Sequence, residues 1–250
     1  MTASATANHP VYAIFGATGG IGESLCRKLA ARGAQLVLIA RQPDRLHRLA
    51  EALNAVAEPL DATRIDDVDA CVDRVVQRFG RLDGAANCVG SLLLKGAHLT
   101  SEAEWNATIA ANLTTAFAVV RSAARVMMST GGSIVLVSSV AARVGLANHE
   151  AIAAAKAGVI GLTLAAAATY ANRGIRVNCV APGLVRTPLT ARLTSNEATL
   201  KVSLAMHPLG RIGEPGDVAS AIDWLLHAEQ SWVTGQVLGV DGGLATVRPR

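Results

Sequence analysis

Six apolar runs of strand length recur along the chain: VYAIF at 11–15, LVLIA at 36–40, GAANCV at 84–89, SIVLVS at 133–138, RVNCVA at 176–181 and QVLGV at 236–240. Between them lie longer stretches such as 21–32 and 65–79, with apolar residues at helical spacing and charges opposite. Continuous apolar runs are the signature of strands buried on both faces. Strand, helix and strand in series bury such runs only as a parallel sheet wrapped by helices on both sides. The reading is an α/β fold, a doubly wound parallel sheet in a single domain over 11–250, preceded by a flexible leader at 1–10. Residues 188 to about 210 break the rhythm and are read as a helical flap over the site, where substrate choice would be set.

Composition narrows the partners. At 250 residues, 51% hydrophobic, the chain can bury a large core and is not a disordered segment. Aromatic residues are only 3%, so that core is built from Ala, Val, Leu and Ile. The net charge of +4 comes from scattered basic residues with no run of five like charges, which argues against nucleic acid as a partner. Cys26, Cys71, Cys88 and Cys179 lie far apart, without a CxxC pair or a nearby His cluster. Neither a metal site nor a disulfide framework is indicated, and a reducing, cytoplasmic setting fits. The polar leader lacks the apolar core of a signal peptide. Lys156 interrupts the longest apolar run, leaving 157–168, about a dozen residues, too short for a membrane span.

After the first strand comes Gly16-Ala17-Thr18-Gly19-Gly20-Ile21-Gly22, running into a helix. Glycines at such a junction let the backbone approach a pyrophosphate, whose charge the helix N-terminus favours. This makes the fold Rossmann-type. At the end of the second strand, where an acid would bind the ribose hydroxyls of NAD, the chain carries Ala40-Arg41. A guanidinium there suits a 2′-phosphate, which favours NADP(H) and leaves NAD(H) open.

Taken together, GATGGIG (16–22), Asp61, NCVG (87–90), Asn112, the Ser pair at 138 and 139, Lys156, APGLVRT (181–187) and VTGQVLGVDGG (233–243) resemble the short-chain dehydrogenase/reductase family over nearly the whole chain. The resemblance implies cofactor contacts from Gly16, Thr18, Gly20, Ile21 and Gly22 at the pyrophosphate, and from Asp61 and Ala62 beside the adenine. It places Asn87 and Gly90 along the ribose side, and Pro182, Gly183, Val185 and Thr187 at the nicotinamide. It also implies a homotetramer or homodimer acting on a small-molecule substrate.

In that family a Ser holds the substrate oxygen, a Tyr exchanges the proton, a Lys four residues later binds the nicotinamide ribose, and an Asn completes a water relay. Ser139, Lys156 and Asn112 match. The Tyr does not: Ile152 stands four residues before Lys156. Tyr12 belongs to the first strand, and Tyr170 lies 14 residues beyond Lys156, about 21 Å along one helix. His149 shares the helical face of Ile152 and Lys156 by spacing, and stands seven residues before Lys156, where the related enoyl reductases carry their Tyr. It is read as the replacement acid, histidine being competent near neutral pH. The plainer reading is that His149 merely opens the helix behind an Asn148 cap. Two functions follow. One is an NADP(H)-dependent oxidoreductase acting on a small apolar carbonyl or activated alkene. The other is a catalytically silent, cofactor-binding subunit.

Overall fold

The computed structural model describes residues 9–248. Seven strands form one sheet: β1 (Val11–Phe15), β2 (Gln35–Ala40), β3 (Val56–Pro59), β4 (Gly84–Asn87), β5 (Gly132–Val137), β6 (Ile175–Pro182) and β7 (Val237–Val240). Their order is β3-β2-β1-β4-β5-β6-β7, and every pairing is parallel. Strand β1 is buried along its whole length and alternates its side chains between two cores. Val11, Ala13 and Phe15 face α3 (Ile65–Phe79), α5 (Thr115–Met127) and α6 (Glu150–Tyr170). Tyr12 and Ile14 face α1 (Gly20–Ala31), α2 (Pro43–Ala52) and α9 (Pro215–Leu226). Fully buried Ile14, Leu25 and Ile222 in the second core each contribute about 1.5–3 kcal/mol of transfer free energy.

The apolar runs map onto strands with shifted ends. Strands β2, β5 and β6 each begin one residue earlier than the run, and β7 begins one later, at Val237. The run at 84–89 overshoots β4, which ends at Asn87, although Cys88 N still donates to Phe15 O at 2.8 Å. β3 was absent from the six runs: it is an edge strand of four half-exposed residues ending in Glu58 and Pro59, with no continuous apolar stretch to mark it.

The described chain reaches into the expected leader only at His9 and Pro10, and the Pro10 carbonyl already accepts a hydrogen bond from Gln35 N at 2.9 Å. The rest of the leader lies outside the described residues. Helix α6 runs unbroken through Lys156 for 21 residues, longer than its apolar run suggested. By length and composition it would cross a bilayer, but it lies against β5, β6 and α5. The 188–210 segment is helical: a 3-10 turn at Pro188–Thr190, then α7 (Ala191–Thr194) and α8 (Glu197–Met206), whose residues are all at least partly exposed.

Order reverses on either side of β1, since β2 and β4 leave it in opposite directions. Such a switch point opens a crevice at the carboxyl ends of the strands. Gly16 after β1 and Cys88 after β4 meet there.

Candidate active site

Crowding at the crevice explains the glycines. Gly16 has φ +76°, and a Cβ on it would stand 2.7 Å from the Cys88 carbonyl carbon. A Cβ on Gly22 would lie 2.2 Å from Gly16 O, so the first turn of α1 presses directly on the loop before it. A Cβ on Gly20 would come within 2.9 Å of Thr187 Cγ2, so the glycine turn and the segment after β6 form two walls of one cleft. No side chain caps the α1 N-terminus, whose cap residue is Gly19. Its first backbone N–H groups are thus available to an anion. Thr18 and Ile21 are half-buried along this turn. The cradle fits a dinucleotide pyrophosphate.

On the far side of β1, Arg41 follows β2, is exposed, and forms no ion pair among the described residues. Asp61 Oδ1 accepts hydrogen bonds from Thr63 N (3.0 Å) and Thr63 Oγ1 (2.9 Å). These bonds, with the charges of Arg41 and Arg64 adding to them, hold its carboxyl below the usual range. Ala62 is buried beside it. Asn87, at the end of β4, donates to Thr115 Oγ1 (3.2 Å) and accepts from Val89 N (3.2 Å), which fixes the turn leading to exposed Gly90.

Two of the candidate residues, Asn112 and Lys156, come together beside Gly90. The point where its Cβ would stand is 3.0 Å from Asn112 Oδ1 and 3.5 Å from Lys156 Nζ. Lys156 is only 6% exposed, and its Nζ donates to Val137 O at 2.8 Å. Burial pushes its ammonium down to about 8, opposed by the nearby Cys179 and Cys88 thiols. Ser138 Oγ donates to Lys156 O (2.8 Å), locking this turn of α6 to the end of β5. The next residue, Ser139, opens the 3-10 turn Val140–Ala142, and its Oγ accepts from Ala141 N at 3.1 Å. This is a local turn bond of the kind a Ser after a strand makes. It uses one acceptor site and leaves the Ser139 O–H free to donate.

Asn112 sits in a π-turn, Ala110–Thr114, between α4 (Glu102–Ile109) and α5. Its Nδ2 donates to Ser91 Oγ and Thr108 O, both at 2.9 Å, and its Oδ1 accepts from Ser91 N (3.2 Å). Both of its donors are thus used within the protein. π-turns inside helices are frequent at functional sites, and no residue pattern had marked this one. Ser91 and Ser138 are further residues beside the site that motif spacing missed. Ser91 adjoins NCVG, and Ser138 was seen only as half of a pair.

Ile152 is 3% exposed, packed into the face of α6 that carries Lys156. His149 is the N-cap residue, at φ −111° and ψ 12°, so the helical spacing used to align it with Ile152 and Lys156 does not apply to it. Its ring Nδ1 lies 2.7 Å from Ala147 O, leaving Nε2 as the nitrogen available to a partner. Asn148 is not the cap: it adopts the left-handed conformation at φ +61°, and its carbonyl accepts from Lys95 N at 2.8 Å.

Pro182 ends β6, and Gly183 N donates to Val240 O of β7 at 3.1 Å. Val185 is buried and bridges Gly213. Thr187 caps the flap's first turn, exchanging hydrogen bonds with Thr190. Buried His207 links α8 to this loop, with Nε2 accepting from Leu184 N at 3.2 Å.

Residues 16–245 match a family model described as enoyl-(acyl carrier protein) reductase. The chain is 40% identical over 241 residues to the 3-oxoacyl-(acyl-carrier-protein) reductase FabG of Thermotoga maritima, covering 92% of this chain and 96% of that protein. It is 41% identical over 244 residues to a cis-4-hydroxycyclohexanecarboxylate dehydrogenase of Sinomonas cyclohexanicum, covering 95% and 97%. Among solved structures, a short-chain type dehydrogenase/reductase from Mycobacterium ulcerans superposes with TM-score 0.92 at 33% identity, covering 96% of this chain and 90% of that one. ElxO with NADP bound superposes with TM-score 0.90 at 28% identity, covering 96% and 100%.

Proposed function

We propose, since the chain belongs to the short-chain dehydrogenase/reductase family, that it is an NADP(H)-dependent oxidoreductase acting on a small apolar carbonyl or activated alkene, without the tyrosine acid. The observation that carries this reading is the convergence of Lys156 Nζ and Asn112 Oδ1 at Gly90, with Ser139 at the adjoining end of β5. A chain that only bound a nucleotide would have little physical need to keep Ser139 and Asn112 beside the ribose-holding Lys156. Bound, the dinucleotide would supply or accept the hydride.

The protein's own part is to bind, to orient and to move a proton. Gly16, Thr18, Gly20, Ile21 and Gly22 cradle the pyrophosphate, Arg41 selects the 2′-phosphate, Asp61 and Ala62 flank the adenine, and Asn87 and Gly90 line the ribose side. Pro182, Gly183, Val185 and Thr187 bound the nicotinamide, and Lys156 holds its ribose. Ser139 donates its hydroxyl proton in a hydrogen bond to the substrate oxygen. Reduction of a carbonyl needs one proton on that oxygen for each hydride on carbon. His149 delivers it from Nε2, the nitrogen left open while Nδ1 stays on Ala147 O. The relatives named for 3-oxoacyl reduction and for a hydroxycyclohexanecarboxylate dehydrogenase support carbonyl and alcohol chemistry. The flap residues Leu189, Leu193, Leu200, Leu204 and Met206, with no aromatic residue, support a modest aliphatic substrate. Four free thiols support a reducing, cytoplasmic setting, and we assign a homotetramer or homodimer on the family resemblance.

One observation favours a second reading, a silent cofactor-binding subunit: Ile152 is buried where the family's acid stands. Loss of a placed acid costs roughly 10²- to 10⁴-fold in rate. NADPH consumption by wild type, Ile152→Tyr and His149→Ala on ketones, aldehydes and enones separates the two. Turnover by the wild type that His149→Ala abolishes supports the rewired enzyme. Turnover of ketones by Ile152→Tyr alone supports the silent subunit.

A further inference from the structure

We infer that His207 is a positioning residue that ties the flap to the Gly183-Leu184 turn, so that flap and turn respond to the cofactor as one unit. The inference rests on the assignment of that turn to the nicotinamide side.

His207 ends α8, is 3% exposed, and uses both ring nitrogens. Leu184 N–H can only donate, so Nε2, 3.2 Å away, is the acceptor. The proton then belongs to Nδ1, which donates to Ser203 O within α8 at 2.6 Å. One rigid ring thus joins a helix carbonyl to a backbone N–H of the site loop. Gly183 makes room for it, because a Cβ there would stand 2.6 Å from His207 Nε2. Little else anchors α8. None of its residues is buried, and none forms an ion pair among the described residues. Beyond His207, Leu209 N donates to Gly242 O at 3.1 Å, so the strap is fastened at its far end to the segment after β7. An apolar side chain would fill the same space but could not accept from Leu184 while donating to Ser203.

The test is amide hydrogen exchange on the full chain, with and without NADPH, beside a direct NADPH titration. In the wild type, Leu184 and residues 197–206 should slow together, by about tenfold or more. In His207→Leu, NADPH should still bind within about tenfold of wild type, because the glycine turn and Lys156 are untouched, but the flap amides should no longer slow. His207→Gln, whose Oε1 can take the Leu184 N–H, should restore the joint response. Equal flap protection in His207→Leu, or a wild type in which only one of the two segments responds, overturns the inference. The wild-type comparison decides without any variant. A wild type that fails to bind NADPH overturns the cofactor reading first, and that failure is visible in the titration alone.

Discussion

Replacing Lys156 with Met should make the cofactor-free protein more stable, although it removes a residue of the proposed active site. The ammonium is 6% exposed and its one hydrogen bond runs to Val137 O. Burial lowers its pKa from 10.5 to about 8. At about 1.4 kcal/mol per unit, keeping it charged at pH 7 costs the folded state ~3 kcal/mol. Met fills a similar volume and removes that cost, but leaves Val137 O without its donor, a loss of about 1 kcal/mol. The net gain of about 2 kcal/mol corresponds to about 4–8 °C in Tm for a chain of this size. The sign with pH follows from linkage. Between about 8 and 10.5 the unfolded chain keeps a proton that the folded chain has released, so this group adds stability as pH rises. The Met variant's advantage should therefore be full at pH 7 and fade above pH 8. The buried thiols Cys88 and Cys179, raised to about 12 and 11 by burial, work the opposite way above pH 9; the Lys156 charge lowers both, so they rise further in the Met variant and make its advantage fade faster there. Thermal melts of both proteins from pH 7 to 10 measure this. A Met variant no more stable than wild type at pH 7, or an advantage that does not change with pH, would refute the reasoning. With NADPH at 100 times its Kd, wild type should gain about 2.7 kcal/mol and the order should reverse.

Arg41→Asp should shift the ratio of NADPH to NADH affinity toward NADH by at least about tenfold, through loss of a charge-assisted phosphate contact; an unchanged ratio in fluorescence titrations removes Arg41 from the cofactor site. Gly22→Ala sets a Cβ 2.2 Å from Gly16 O, a backbone atom that cannot step aside cheaply. It should cost about 1–3 kcal/mol in urea unfolding and weaken dinucleotide binding; wild-type values in both would show that the turn has slack.

The sheet was legible because parallel strands buried on both faces leave continuous apolar runs, as β1 and β6 do. β3 was not, because half-exposed residues and a terminal proline at a sheet edge carry no run. Order and spacing picked out Lys156 and Asn112, whose Nζ and Oδ1 lie beside Gly90, and Ser139, which follows the end of β5. What spacing could not supply was conformation. The π-turn around Asn112 has no residue signature, and the helical-face argument for His149 presumed helical angles at a residue that has not yet entered the helix. By residue type Asn148 is a good helix cap. Asn also tolerates the left-handed region, and that is the property used here. His207 carries no motif because its partners, Leu184 and Ser203, are a backbone N–H and a carbonyl, and these leave no trace in residue identity.

The fastening of the flap and its turn from behind by β7 sets an order of events during synthesis. Gly183 N bonds Val240 O, and Leu209 N bonds Gly242 O, so the two segments over the crevice lean on residues translated more than thirty positions after them. A nascent chain that has finished β1 through β6 already carries the glycine turn, Ser139, Asn112 and Lys156, but has nothing to hold the crevice's roof. Domains generally fold as units as they emerge. This one becomes competent to hold a dinucleotide firmly only when its last strand has docked on β6, so a ribosome-bound intermediate stalled before residue 237 would present an open, weakly binding crevice.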